Sequence, residues 1–137
     1  MGLILDSSVV MAAERRGETV RGLVQQIMRT TGDQDAALSA VGLAELVHGL
    51  YRAKTESSRL RRKSFLDAVL VNFIVYPFTA ETALLAGRID GEQENKGISI
   101  PFDDLLIGCT AISLSYAVLT ANVRHFRLIP GLAVMQI

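Results

Sequence analysis

Four polar positions, far apart in the sequence, each stand beside the end of an apolar segment, where a fold could gather them. Asp6 follows Leu3-Ile4-Leu5, and Glu45 lies in the apolar-periodic segment after Ala36–Ala40. Asp103 and Asp104 precede Leu105–Tyr116, and Asn122 lies two residues beyond Ala117–Thr120. Carboxylates packed together repel, and a bound cation is the usual remedy. Oxygen donors without a His/Cys cluster favour Mg²⁺ or Mn²⁺ over zinc. A hard cation held by few carboxylates keeps waters and binds phosphate oxygens, which is the equipment for metal-assisted phosphodiester hydrolysis. Each residue also has a plainer role. Asp6, Asp103 and Asp104 suit helix N-caps. Glu45 falls opposite the Leu43, Leu46, Val47, Leu50 stripe and fits solvent exposure, and Asn122 fits a turn. Those plainer roles do not predict that all should reach one edge of the fold.

The elements that would bring them there follow from periodicity. Leu3-Ile4-Leu5 reads as a buried strand feeding a helix that Asp6-Ser7-Ser8 can cap. Val20, Leu23, Val24, Ile27 and Met28 recur at helical spacing, and Thr31-Gly32-Asp33 breaks that helix. Ala36–Ala40 reads as a second strand. Leu43–Tyr51 and Leu60–Phe73 repeat the helical pattern, the latter with Phe73–Tyr76 following as a third strand before Pro77. Thr79 can cap a helix running through Lys96, which Gly97 ends. Gly87 and Gly91 would let that helix approach a neighbour closely. Asp103 or Asp104 would cap Leu105–Tyr116, a helix apolar on nearly every side. Ala117–Thr120 is a fourth strand and Ala133–Met135 a short fifth. Alternating strands and helices, with strands apolar enough to be covered twice, predict a three-layer α/β/α sandwich with a mainly parallel sheet. Functional groups in such folds gather beyond the carboxyl ends of the strands, with Glu45 expected about the first turn of its helix.

Composition limits the alternatives. The 137 residues match the length of one domain spanning 1–137, and half of them are apolar, enough for a substantial core. Lys plus Arg balance Asp plus Glu at 14 each, so no global charge advertises a polyanion partner. The one cysteine, Cys109, cannot form an internal disulfide and reads as an inert core thiol in a reducing compartment. No stretch is apolar for the roughly 20 residues a membrane span needs, and no basic leader opens the chain, so a cytoplasmic protein, mature as written, is expected.

Four segments carry a family resemblance. Leu3-Ile4-Leu5-Asp6-Ser7-Ser8-Val9 resembles the opening motif of PIN-domain proteins. Ala44-Glu45-Leu46 with Gly49 is similar to their second acidic motif, and Asp104-Leu105-Leu106-Ile107-Gly108 to the third, an Asp followed by x-x-Ile and a small residue. Thr120-Ala121-Asn122-Val123-Arg124-His125-Phe126 with Pro130-Gly131 resembles the fourth motif and tail of the VapC toxins. The resemblance implies a PIN-like fold and a Mg²⁺-dependent (or Mn²⁺-dependent) endoribonuclease toxin acting on RNA. It also implies a VapB-type antitoxin partner and a homodimer, with Val20–Met28 and Leu60–Phe73 as candidate surfaces. It carries catalytic roles to Asp6, Glu45, Asp104 and Asn122. Asp6 and Asp104 are the metal residues and Asp103 is second choice; Ser8 and Thr120 would hydrogen-bond behind them. Many PIN nucleases have Asp where this chain has Asn122, whose amide orients water without adding charge.

Other features weigh less. Arg52 to Lys63 holds six bases against Glu56 alone, which fits either a solvated helix face or an RNA-backbone track. His48 and His125 could form a metal-free acid–base pair, but neither sits beside a recognisable nucleophile. A receiver-type phosphoryl-transfer domain would need a phospho-acceptor Asp and a partnering Lys. A dehalogenase-type phosphatase would need a second Asp where Ser8 stands. A catalytically inactive PIN-like interaction module is the remaining rival.

Overall fold

The computed structural model describes residues 1–137. Its centre is β1 (Gly2–Leu5), where Leu3, Ile4 and Leu5 are fully buried. β1 pairs on one side with β2 (Asp35–Ser39) and on the other with β4 (Ala117–Thr120). β3 (Ile74–Tyr76) and β5 (Val134–Gln136) close the edges, giving the order β3-β2-β1-β4-β5 with every pairing parallel. The three-layer parallel architecture read from the sequence is the one the chain adopts. The registers Leu5↔Leu38 and Leu5↔Leu119 bring the carboxyl ends of the three central strands level.

Strand alternation splits the core into two. Leu3 and Leu5 face a cluster built from α1 (Ser7–Arg15), α2 (Val20–Thr31) and α4 (Glu56–Asn72), including Val9, Val10, Leu23, Ile27, Leu66 and Val69. Ile4 faces α5 (Ala80–Asn95), α6 (Phe102–Ser113) and the short α7 (Val123–Phe126), with Ile89, Leu105, Ile107 and Phe126. Side chains on successive strand residues point to opposite faces, so a strand buried on both must be apolar throughout. Burying one such Leu or Ile contributes about 1.5–3 kcal/mol relative to exposure. α3 (Ala40–Tyr51) starts directly from β2 and packs against α1, α4 and α6. No helix is long and apolar enough to cross a membrane.

Several boundaries differ from the sequence reading. The second strand is Asp35–Ser39, because Ser39 and Ala40 turn directly into α3. Phe73 is the C-cap of α4 and not part of β3. The last strand is shifted by one, to Val134–Gln136. Neither Asp103 nor Asp104 caps α6, which begins at Phe102 after Pro101, so both carboxylates lie inside its first turn. That helix ends at Ser113, where Ser115 takes a φ of 58° on the way to Tyr116. The expected close approach at Gly87 and Gly91 is absent: a Cβ built at either would meet nothing within 4 Å. The tight glycine is Gly108, where a Cβ would lie 2.6 Å from Ile129 Cδ1, so α6 seats the tail segment against its backbone.

Ser39 joins sheet and site. It is fully buried, and its Oγ accepts the Gly42 N–H at 2.9 Å, capping the helix that carries Glu45. Ser39→Ala is expected to cost about 1 kcal/mol, in the usual range for a lost N-cap. Urea unfolding measures it, and an unchanged midpoint would show that the cap contributes nothing.

Candidate active site

Asp6 leaves the carboxyl end of β1, and its N–H continues the ladder by donating to Leu119 O at 2.9 Å. Its backbone occupies the N-cap of α1, yet its side chain makes no cap hydrogen bond. The carboxylate turns instead to two hydroxyls: Ser8 Oγ donates to Oδ2 at 2.6 Å and Thr120 Oγ1 donates to the same oxygen at 2.9 Å. Thr120 Oγ1 accepts the Asn122 N–H at 3.0 Å, and Ser8 Oγ accepts the Ala121 N–H at 3.3 Å. Asp6 is 6% exposed, so the network holds a buried charge with charge-assisted bonds and leaves Oδ1 without either donor.

Glu45 lies in the second turn of α3, one turn later than expected, and is half-buried, not a plain solvent-facing residue. Ser7 Oγ donates to its Oε1 at 3.0 Å, a partner the sequence reading did not include. Burial pushes its carboxyl above the usual glutamate range against the Ser7 hydrogen bond; the charges of Asp6, Asp103 and Asp104 add to the rise. Asp104 behaves alike. Burial raises it, a hydrogen bond from His125 opposes this, and Asp6 and Asp103 raise it further. These effects show three carboxylates from β1, α3 and α6 brought within electrostatic reach of one another. Asp103 is exposed, whereas the Asp104 side chain is only 21% exposed, so of the two it is Asp104 that turns inward.

The amino end of α6 favours negative charge, which explains why two aspartates are tolerated in its first turn. Asn122 is exposed at the N-cap of α7, and only its backbone atoms enter the hydrogen-bond network. His125, set aside in the sequence reading, is at the site: its Nδ1 lies 2.9 Å from Asp104 Oδ2. It precedes Phe126, which is 1% exposed and anchors the segment. His48 is exposed on α3 and has no place here.

No Lys or Arg forms an ion pair with Asp6, Glu45, Asp103 or Asp104; the four Lys or Arg pairs lie elsewhere on the surface. Nor do any three Asp, Glu, His or Cys side chains close into a ready-made cage for an ion. The donor set is therefore all-oxygen, mutually repelling and open. That suits a hydrated Mg²⁺ or Mn²⁺ held by one or two carboxylates, and it does not suit zinc. The basic segment is less available than its composition implied. Arg59 pairs with Glu56, Lys63 with Asp67, and Arg62 donates to Gly49 O.

Residues 3–132 match the PIN domain model, so the chain belongs to the PIN-domain family. Within that family it is similar to proteins named ribonuclease VapC. The one from Rickettsia bellii (strain RML369-C) is 34% identical over 137 residues, covering 100% of this chain and 97% of that protein. Among solved structures, VapBC2 from Rickettsia felis bound to a DNA fragment from their promoter superposes with a TM-score of 0.86. Identity there is 26%, covering 100% of this chain and 99% of that one. DNA-bound VapBC from Salmonella typhimurium, at 20% identity and a TM-score of 0.82 over 99% and 98% of the two chains, shares the fold.

The raised carboxyls have a measurable consequence. Glu45 and Asp104 hold protons more tightly folded than unfolded, so stability falls as pH rises from the ordinary carboxylate range through their raised values. Glu45→Gln keeps an acceptor for Ser7 and removes the charge. It is expected to unfold at higher urea than the parent at pH 7, with the gap closing as pH falls toward 4.5, the ordinary glutamate value. A variant less stable than the parent at pH 7 would contradict the electrostatic account.

Proposed function

We propose that this chain is a metal-dependent endoribonuclease, the toxin of a toxin–antitoxin pair. The observation that carries the reading is the site itself. Asp6, Glu45 and Asp104 come within electrostatic reach of one another without a Lys or Arg counter-charge, and each has one oxygen tied to a side chain of the protein. Asp6 and Asp104 would hold Mg²⁺ or Mn²⁺, with Asp103 the exposed second choice. Bound there, such a cation would supply charge neutralisation for a reacting phosphate and would acidify water. Glu45 orients the attacking water and takes its proton, and its raised basicity suits that role. The Asn122 amide, free of the cap, positions water or a phosphate oxygen. Ser8 and Thr120 hold Asp6 in one orientation throughout.

The relatives' names and structures support the rest of the reading. An RNA substrate follows from their naming as ribonucleases, and a VapB-type antitoxin from the VapBC complexes. A groove of about 290 Å³ between α1, α3 and α4 is the candidate seat for the antitoxin; its lining includes Met11, Leu46 and Phe65 and three arginines, Arg15, Arg52 and Arg62, against the single acid Glu14. Such a lining fits a segment bearing apolar and acidic side chains. Exposed Leu60, Leu70 and Val71 on α4 fit a homodimer. Light scattering at micromolar concentration is expected to give twice the chain mass, and a monomer would remove the dimer from the proposal.

Cleavage of RNA tests the main claim. Asp104→Asn is expected to lower turnover by about 10²–10³, as loss of a principal electrostatic group does, and Asp103→Asn by much less. EDTA should abolish cleavage, and products should carry 5′-phosphate and 3′-hydroxyl ends. A 2′,3′-cyclic phosphate would mean attack by the RNA's own 2′-hydroxyl. EDTA-resistant cleavage by the purified chain would reject the metal mechanism, and inactivity with Mg²⁺ or Mn²⁺ would favour the inactive interaction module.

A further inference from the structure

The contact between His125 and Asp104 differs from the four Lys or Arg ion pairs of the molecule. Those four join side chains between 32% and 68% exposed, on flexible surface residues. Here the imidazole is 35% exposed and the carboxylate 21%, and the two come from segments 21 residues apart. The ring is also placed by its backbone. Phe126 and Ile129 on either side of the tail are 1% and 3% exposed, and the buried Gln93 donates to Leu128 O at 3.1 Å. His125 O accepts the Leu128 N–H at 3.1 Å, which holds the backbone of the residue in the end of α7.

Asp6 gives the comparison. Its Oδ2 takes both Ser8 and Thr120, which leaves Oδ1 for another partner. Asp104 repeats the arrangement with a single donor on Oδ2. We infer that His125 is a positioning residue for Asp104: its Nδ1–H holds Oδ2 and fixes the carboxylate so that Oδ1 is the oxygen presented to a cation. Histidine suits this because Nδ1 is a directional donor on a short, rigid stem, and partners that orient a ligating group commonly matter as much as the ligand's own identity. The inference rests on the metal-dependent reading above and adds a residue to it.

Two measurements test it. The chain has two histidines, so His48→Gln leaves His125 as the only imidazole. Its ¹⁵N spectrum without metal should show a protonated, pyrrole-type Nδ1 throughout the pH range in which the chain is folded; a bare, pyridine-type Nδ1 overturns the inference. This readout needs no variant of His125. The second is Mn²⁺ affinity, read from the electron paramagnetic resonance of the free ion, for the parent, His125→Leu and His125→Asn, each checked by thermal melting. Asn places an N–H on the same Cγ as Nδ1, and Leu offers none. Leu should weaken Mn²⁺ binding about tenfold and Asn no more than about threefold, within the range lost when a partner behind a ligand is removed. Equal loss in both, or Leu binding as tightly as the parent, overturns the inference alone. A parent that binds no Mn²⁺ overturns the metal reading and this inference with it.

Discussion

The structure depends on keeping like charges close together at the carboxyl edge of a buried sheet. Each of the three acids is partly removed from water, and Asp6 opposes the ionisation of both Glu45 and Asp104. The fold's answer is to hold one oxygen of each of the three with a side chain from elsewhere in the site: Ser8 and Thr120 for Asp6, Ser7 for Glu45, His125 for Asp104. These bonds are not ornaments on a finished fold. They join β1 to α1 and β4, α1 to α3, and α6 to α7, so the acidic cluster and the packing of the elements around it are one arrangement. A hydrogen bond to an ionised group contributes about 1.5–3 kcal/mol, comparable to one buried apolar side chain.

That balance explains why the site is open. A preformed cage would require a third carboxylate to close on the same point, at the cost of further repulsion in a partly desolvated place. The chain keeps Asp104 near enough to raise Glu45, and Asp6 near enough to raise both, but does not converge three ligands on a common point. Charge at this edge is thus stored as elevated proton affinity. Function and stability pull against each other there, as they do wherever a site retains charges that the fold alone would discard.

Much of this was legible in the residues. Continuous apolar runs such as Leu3–Leu5 and Ala117–Thr120 read as strands covered on both faces because nothing else explains their lack of alternation. Order then placed Asp6, Glu45 and the Asp103–Asp104 pair on one edge. What the residues alone did not settle was direction. Whether Glu45 looks outward or toward Asp6 depends on where α3 leaves β2, and that turns on Ser39, which reads as strand and acts as both strand end and cap. Asp103 and Asp104 looked like caps because capping is the commonest use of Asp before a helix. Pro101 took that position, and the first turn became available for charge. His125 was missed because its partner is 21 residues away, and no local rule links the two. Gly87 and Gly91 suggested contact by spacing, whereas the close approach fell to Gly108, which spacing did not single out.

The central place of β1 carries a consequence for how the chain is made. Asp6 is translated well before Thr120, which holds its Oδ2 from 114 positions later, and before Leu119, which accepts its N–H. β1 has only β2 beside it until β4 arrives, and Asp104 waits for His125 in the same late stretch. At translation speeds of about 5–20 residues per second, the nascent chain spends several seconds with its acids uncoordinated and apart. A truncated product that stops before β4 would leave the other edge of β1 unpaired, a substrate for chaperones and proteases instead of a folded protein.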